Sequence, residues 1–173
     1  MNSASGFPRA VFADVLDGNT TYAADFPGTG LSGRARKGLA LVTCMDSRIE
    51  PLQLLGMEQG DVKILRNAGA RVTDDVLRTL VLATYLLDVN RVLVMPHTHC
   101  KMASATEDEI HRQILEENGV DTYSVEFRTV PDQEEALAYD VRRIRSYPLL
   151  PRQLVVAAAV YDVHTGRLSP RDY

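Results

Sequence analysis

Short apolar runs alternate with amphipathic stretches along residues 39–163, and this alternation restricts the fold more tightly than any other feature of the chain. Residues 39–43 (LALVT) form a continuous apolar run, the pattern of a strand buried on both faces. Residues 51–57 predict a short helix opened by Pro51, whose fixed φ suits a first turn. Further strands are expected over residues 62–65 (VKIL) and 91–96 (RVLVMP). Between them, residues 73–88 predict the clearest helix. Thr73 suits its N-cap, and Asp74 and Asp75 complement the positive end of its dipole. Val76, Leu77, Leu80, Val81 and Leu87 mark its buried side. Helices are also expected over 105–118 and 131–146, the second with acids in its first turn and Arg142, Arg143 and Arg145 in its last. A fourth strand is expected over 123–127. The apolar residues 154–163 predict a last strand, returning through His164–Gly166 as a hairpin.

Such alternation implies an α/β fold with a mainly parallel central sheet of four to five strands and helices on its faces. An antiparallel edge strand is expected near the C-terminus. The length of 173 residues suits a single domain. Residues 1–35 read as an N-terminal arm, polar and rich in turns, with only residues 10–16 suited to a short helix. Phe7, Phe12, Tyr22 and Phe26 predict that the arm docks on another surface, such as a neighbouring subunit. Gly28, Gly30 and Gly33 spell G-x-G-x-x-G. No strand precedes them and no helix follows, so a dinucleotide site is not expected.

No apolar run approaches the ~18 residues of a membrane span. No charged segment leads into an apolar core at the start, so a secretory leader is not expected and a cytoplasmic location is. A disulfide between Cys44 and Cys100 is then disfavoured. The net charge of −4 argues against a general nucleic-acid binder.

Ligands in such folds bind at the carboxyl ends of strands. Cys44 follows the first expected strand, Asn67 and Gly69 the second, and His97 and Cys100 the third. Two thiolates and an imidazole on adjacent strand ends suit Zn²⁺, with a fourth position left for water. Buried thiols or a redox pair are the plainer readings. His97 and Cys100 are three apart, so a tight turn can bring both to one metal. His99 adjoins Cys100 and diverges from it, so it is expected beside the metal and not on it. His111 and His164 are expected to be solvated. In CMDSR, Arg48 would hold Asp46 ionised as an acceptor for a zinc-bound water or hydroxide. The alternative is a loop salt bridge worth ~0–1 kcal/mol.

The chain resembles the β-class carbonic anhydrases. The resemblance rests on the C-x-D-x-R of Cys44, Asp46 and Arg48, the RNAG of Arg66, Asn67, Ala68 and Gly69, and the H-x-x-C of His97 and Cys100. It implies zinc held by Cys44, His97 and Cys100, a catalytic dyad of Asp46 and Arg48, and a substrate pocket that includes Asn67, Ala68 and Gly69. It also implies a dimer or tetramer with the zinc site near the subunit interface. Many members carry Asp and Gly where this chain has His99 and Lys101. Lys101 places a cation where the next helix is expected to begin, which the helix dipole disfavours.

The expected reaction is hydration of CO₂ to bicarbonate by zinc-bound hydroxide. Carbonyl sulfide and carbon disulfide, which are also linear cumulenes, are the alternative substrates. A non-catalytic zinc or thiol-redox binding protein, with Asp46 in the fourth zinc position, is the alternative of another class.

Overall fold

A computed structural model of the chain describes residues 6–28 and 30–173; residues 1–5 and 29 of the expected arm lie outside the described residues. The chain divides into two units, Met1–Leu31 and Ser32–Tyr173. The first contains helix α1 (Ala13–Ala24), which buries none of its residues. This helix starts later and runs further than the expected 10–16. Thr20 and Thr21 turn their hydroxyls back onto the carbonyls of Leu16 and Asp17, satisfying both side chains within the helix. Phe7 packs on Phe12 and Tyr22 on Phe26, each with ring centroids 5.3 Å apart, and all four remain exposed. Gly28, Gly30 and Gly33 lie in irregular chain after the helix.

The second unit runs β1 (Leu39–Cys44), α2 (Pro51–Leu54), β2 (Val62–Asn67), α3 (Asp74–Leu86), β3 (Arg91–Met95), α4 (Glu107–Asn118), α5 (Gln133–Arg145), β4 (Val155–Tyr161) and β5 (Leu168–Arg171). The strands form one five-stranded sheet in the order β2-β1-β3-β4-β5. Every neighbouring pair is parallel except β4 with β5, which closes the edge as an antiparallel hairpin. All six residues of β1 are buried, as its unbroken apolar run requires of a central strand. One core cluster packs Ala40, Val42, Val92 and Val94 against Val76, Leu77 and Leu80 of α3 and Leu137, Val141 and Ile144 of α5. The other packs Leu39 and Leu41 against Ile49, Met95, Cys44 and Cys100.

Helix boundaries follow the capping chemistry. Thr73 caps α3 by accepting from the Val76 N–H. Thr106 and Glu109 form a reciprocal capping box on α4, and Asp132 caps α5. The helix α2 is shorter than expected, since Gly56 turns the chain at φ +60°. Lys101 opens only a 3-10 turn, Lys101–Ala103, and α4 starts later at Glu107, so the cation does not sit at an α-helix N-terminus.

Residues 123–127 are not a strand, against expectation. The N–H groups of Tyr123 and Val125 go to Asp121 Oδ1 and the Thr122 carbonyl, each at 2.9 Å, and that of Phe127 goes to the Glu107 carboxylate, which also accepts from Arg128 and Thr129, so none of the three is left for a ladder. Arg128 also takes φ +58°, which breaks an extended run. The same segment corrects the expectation for His111, which is buried. Its Nδ1 lies 2.9 Å from Thr122 Oγ1, and its ring stacks on Tyr123 at 4.6 Å and packs on Phe127 at 5.0 Å. His164 is exposed, as expected.

Candidate metal centre

The sheet order reverses direction at β1: the chain goes from β1 to β2 on one side, then crosses to β3 on the other. The crevice beyond the carboxyl ends of β1 and β3 is therefore the switch point where such sheets bind ligands. Cys44 is the last residue of β1, and His97 and Cys100 follow β3. The ligand atoms of these three residues all lie within 4.8 Å of one another, and all three residues are buried. Among the described residues they are the one such cluster of three or more His, Cys, Asp or Glu.

The two sulfurs are 4.0 Å apart and both thiols are free. Tetrahedral zinc with Zn–S bonds near 2.3 Å sets its sulfurs about 3.8 Å apart, so the spacing fits. His97 supplies a second indication. Its Nδ1 lies 2.9 Å from the Thr98 carbonyl. A carbonyl only accepts, so Nδ1 carries the proton and Nε2 presents a bare lone pair. That Nε2 is buried without a hydrogen-bond partner. A buried orphan acceptor is costly, and a metal ion satisfies it. The donor set fits Zn²⁺ by type, spacing and tautomer.

Electrostatics prepare one thiol. The hydrogen bond with Cys100 is the largest influence on Cys44, and His97 and the N–H groups of Gly69 and Asp46 act in the same direction. Against the opposing effect of burial, they hold the Cys44 thiol well below its usual range. Cys100 is pushed up, by sharing that hydrogen bond with the Cys44 thiolate and by burial. Burial alone would lower His97, but the neighbouring Cys44 charge offsets this and the imidazole is raised.

Asp46 and Arg48 lie on the loop between β1 and α2. Arg48 Nε donates to Asp46 Oδ1 at 2.8 Å and Nη2 to Oδ2 at 2.7 Å, a two-pronged pair. The Arg48 N–H also donates to Oδ1 at 2.9 Å. Arg48 thereby holds the Asp46 carboxyl well below the usual carboxylate range. Oδ2 lies 3.7 Å from His97 Nε2, so this oxygen faces the ligand cluster.

The RNAG residues are placed differently from one another. Asn67 clamps its own turn: Nδ2 donates to the Arg71 carbonyl at 2.7 Å and Oδ1 accepts the Arg71 N–H at 2.9 Å. Asn67 and Ala68 line a cavity of about 430 Å³ with Arg66, Arg71 and Arg128, whose lining does not include the cluster. Gly69 instead presents its N–H to Cys44. It takes φ +77°, where an L side chain is strained, and a Cβ there would crowd Met102 Cβ at 3.2 Å, so the position favours glycine.

Two positioning residues had no role assigned from the sequence. Arg66 donates to the carbonyls of Cys44 at 2.9 Å and Asp46 at 2.6 Å, holding the loop that carries the dyad. Gln133 on α5 donates to the His97 carbonyl at 2.9 Å. Arg66 was visible as the first residue of RNAG. Nothing local signals Gln133, whose contact spans 36 residues.

Comparison with known proteins places these motifs. The profile of the family described as carbonic anhydrase matches residues 39–168. The chain is 36% identical over 157 residues to beta-carbonic anhydrase 1 of Mycobacterium tuberculosis, covering 90% of this chain and 94% of that relative. It is 28% identical over 152 residues to carbon disulfide hydrolase of Acidithiobacillus thiooxidans, covering 76% of each. Its structure is similar to the crystal structure of a carbonic anhydrase from Streptococcus mutans, with a TM-score of 0.88 and 35% identity over 93% of this chain and 97% of that one.

Proposed function

The chain belongs to the β-carbonic anhydrase family, and on that premise we propose that it is a zinc hydrolyase that hydrates CO₂ to bicarbonate. The observation that carries this reading is the orphaned His97 Nε2, buried between two thiols and facing a carboxylate that Arg48 holds ionised. Cys44, His97 and Cys100 would hold the metal. When bound, Zn²⁺ supplies a Lewis acid that brings the pKa of water toward ~7.

The chain's own residues do the rest. Two thiolates balance the formal charge of the ion, so orientation of the nucleophile gains weight. Asp46 is acceptor-only while ionised; Oδ1 gives both of its lone pairs to Arg48, whereas Oδ2 gives one and keeps the other. Oδ2 is the oxygen aimed at the cluster, and there it accepts the hydrogen bond of the attacking water. This turns the water's free lone pair toward the electrophilic carbon of CO₂. Hydration forms one C–O bond and releases one proton to buffer. With both Asp46 oxygens on Arg48, the dyad favours an open fourth position over a closed, non-catalytic site with Asp46 as ligand.

A second substrate reading draws on the carbon disulfide hydrolase relative. Carbonyl sulfide and carbon disulfide present the same linear, electrophilic carbon. Side-by-side assays on one zinc-quantified sample separate the two. Turnover of CO₂ well above release of hydrogen sulfide from either sulfur compound is the expected result; the reverse order makes the sulfur compounds the substrate class.

We also propose self-association as a dimer or tetramer, with the exposed aromatic residues of the arm contributing to it. A cytoplasmic location is part of the same proposal. Among the described residues no helix is long and apolar enough to cross a membrane.

A further inference from the structure

Arg48 has a second partner besides Asp46. Its Nη2 also donates to the main-chain carbonyl of His99 at 3.1 Å. That carbonyl faces Arg48 because His99 adopts a left-handed backbone, φ +54°. Residues other than glycine enter this region at a cost. Asn, Asp and His tolerate it best, and β-branched residues least.

The turn after β4 braces this conformation. Asp162 Oδ1 accepts the N–H groups of His164 and Thr165 at 2.8 and 2.9 Å, which fixes the turn. Thr98 is tied to it twice: its N–H donates to the Tyr161 carbonyl at 2.9 Å, and its Oγ1 accepts the Val163 N–H at 3.2 Å. The His164 imidazole then packs edge-on against the His99 ring, with centroids 4.6 Å apart and planes at 66°. A continuous path of contacts thus runs from Asp162 through His164, His99 and Arg48 to Asp46.

We infer that His99 is a positioning residue: its left-handed main chain, braced by the His164 ring, anchors the Arg48 guanidinium and through it fixes the direction of Asp46. The inference rests on the reading of Asp46 as the acceptor that orients the attacking water. What this position supplies is a backbone carbonyl, so residues that tolerate the left-handed region should serve there and residues that resist it should not.

The test uses the zinc-loaded full chain and the variants His99→Asn, His99→Val and His164→Ala, the last in both the native and the His99→Asn backgrounds. Zinc per chain, kcat, KM for CO₂ and solvent protection of the Arg48 Nε–H, read by nitrogen-15 NMR, are measured for each. His99→Asn, which also gives up the ring contact, should lose no more kcat than His164→Ala does. His99→Val should lose on the order of tenfold in kcat with KM and zinc content unchanged, since a misdirected orienting group weakens the transition state and not substrate binding. His164→Ala should lower kcat a few-fold in the native background, on the order of the cost of a strained conformer left unbraced. In the His99→Asn background, where no imidazole is left at position 99 to brace, His164→Ala should change nothing further.

Native kcat and native protection in His99→Val overturn the inference. Equal damage in His99→Asn and His99→Val overturns it too, by making the imidazole itself the functional group. Loss of zinc in place of kcat does the same, by moving the role to the ligand loop. Should His99→Val not fold, a harmless His164→Ala in the native background is the overturning result. The NMR signal decides even where the native protein proves inactive toward CO₂, a result that would defeat the proposed reaction and not the anchoring of Arg48.

Discussion

At the scale of single residues, the site depends on a few side chains whose polar atoms have one permitted role. The Thr98 carbonyl sets the His97 tautomer, and Arg48 keeps Asp46 an acceptor. Asp46→Asn tests the second of these. The amide still fits the space, but one of its ends becomes a donor facing a donor. The variant should keep its zinc and lose roughly 10–100-fold in CO₂ hydration, the usual cost of disturbing a group that supports a metal site. Metal analysis beside stopped-flow rates checks this, and full activity would remove Asp46 from the mechanism. The cluster itself was legible because Cys44, His97 and Cys100 carry ligand chemistry at short motif spacings. Gln133 and the burial of His111 were not, since each depends on partners brought from elsewhere in the chain.

At the scale of elements, caps and apolar runs placed β1, β2, β3, α3 and the β4–β5 hairpin close to where they lie, because the signals for each are local. Residues 123–127 mislead for a definite reason. Their alternating pattern suits a strand, yet Asp121, the Thr122 carbonyl and Glu107 on α4 take the N–H groups of Tyr123, Val125 and Phe127. Burial pushes the Glu107 carboxyl up, but the N–H groups of Thr129, Phe127 and Arg128 outweigh it and hold the group below its usual range. A depressed carboxylate stabilises the fold above its unfolded value, near 4.3, and that contribution fades as pH falls through the lower folded value. Glu107→Gln should therefore lower Tm at neutral pH, and the gap from the native protein should close as pH drops below about 4. Thermal scans across pH check this; a gap that is independent of pH would assign the effect to packing.

At the scale of the whole molecule, the sheet order concentrates the reactive residues at one switch point, while the N-terminal unit exposes Phe7, Phe12, Tyr22 and Phe26. Removal of residues 1–30 should shift the protein toward smaller species in sedimentation velocity; an unchanged, equally stable oligomer would count against a role for the arm in assembly. The sheet was legible because alternation of strands and helices dictates a parallel core. The fate of the arm was not, since its aromatic residues show only that it has apolar surface to cover. The most direct measurement of the central claim is stopped-flow CO₂ hydration at neutral and mildly alkaline pH, on protein of known zinc content, before and after removal of the metal by a chelator and again after zinc is restored. Hydration should be rapid, scale with zinc occupancy, vanish on chelation and return with zinc. Absent hydration at full occupancy, or hydration indifferent to the metal, would contradict the claim.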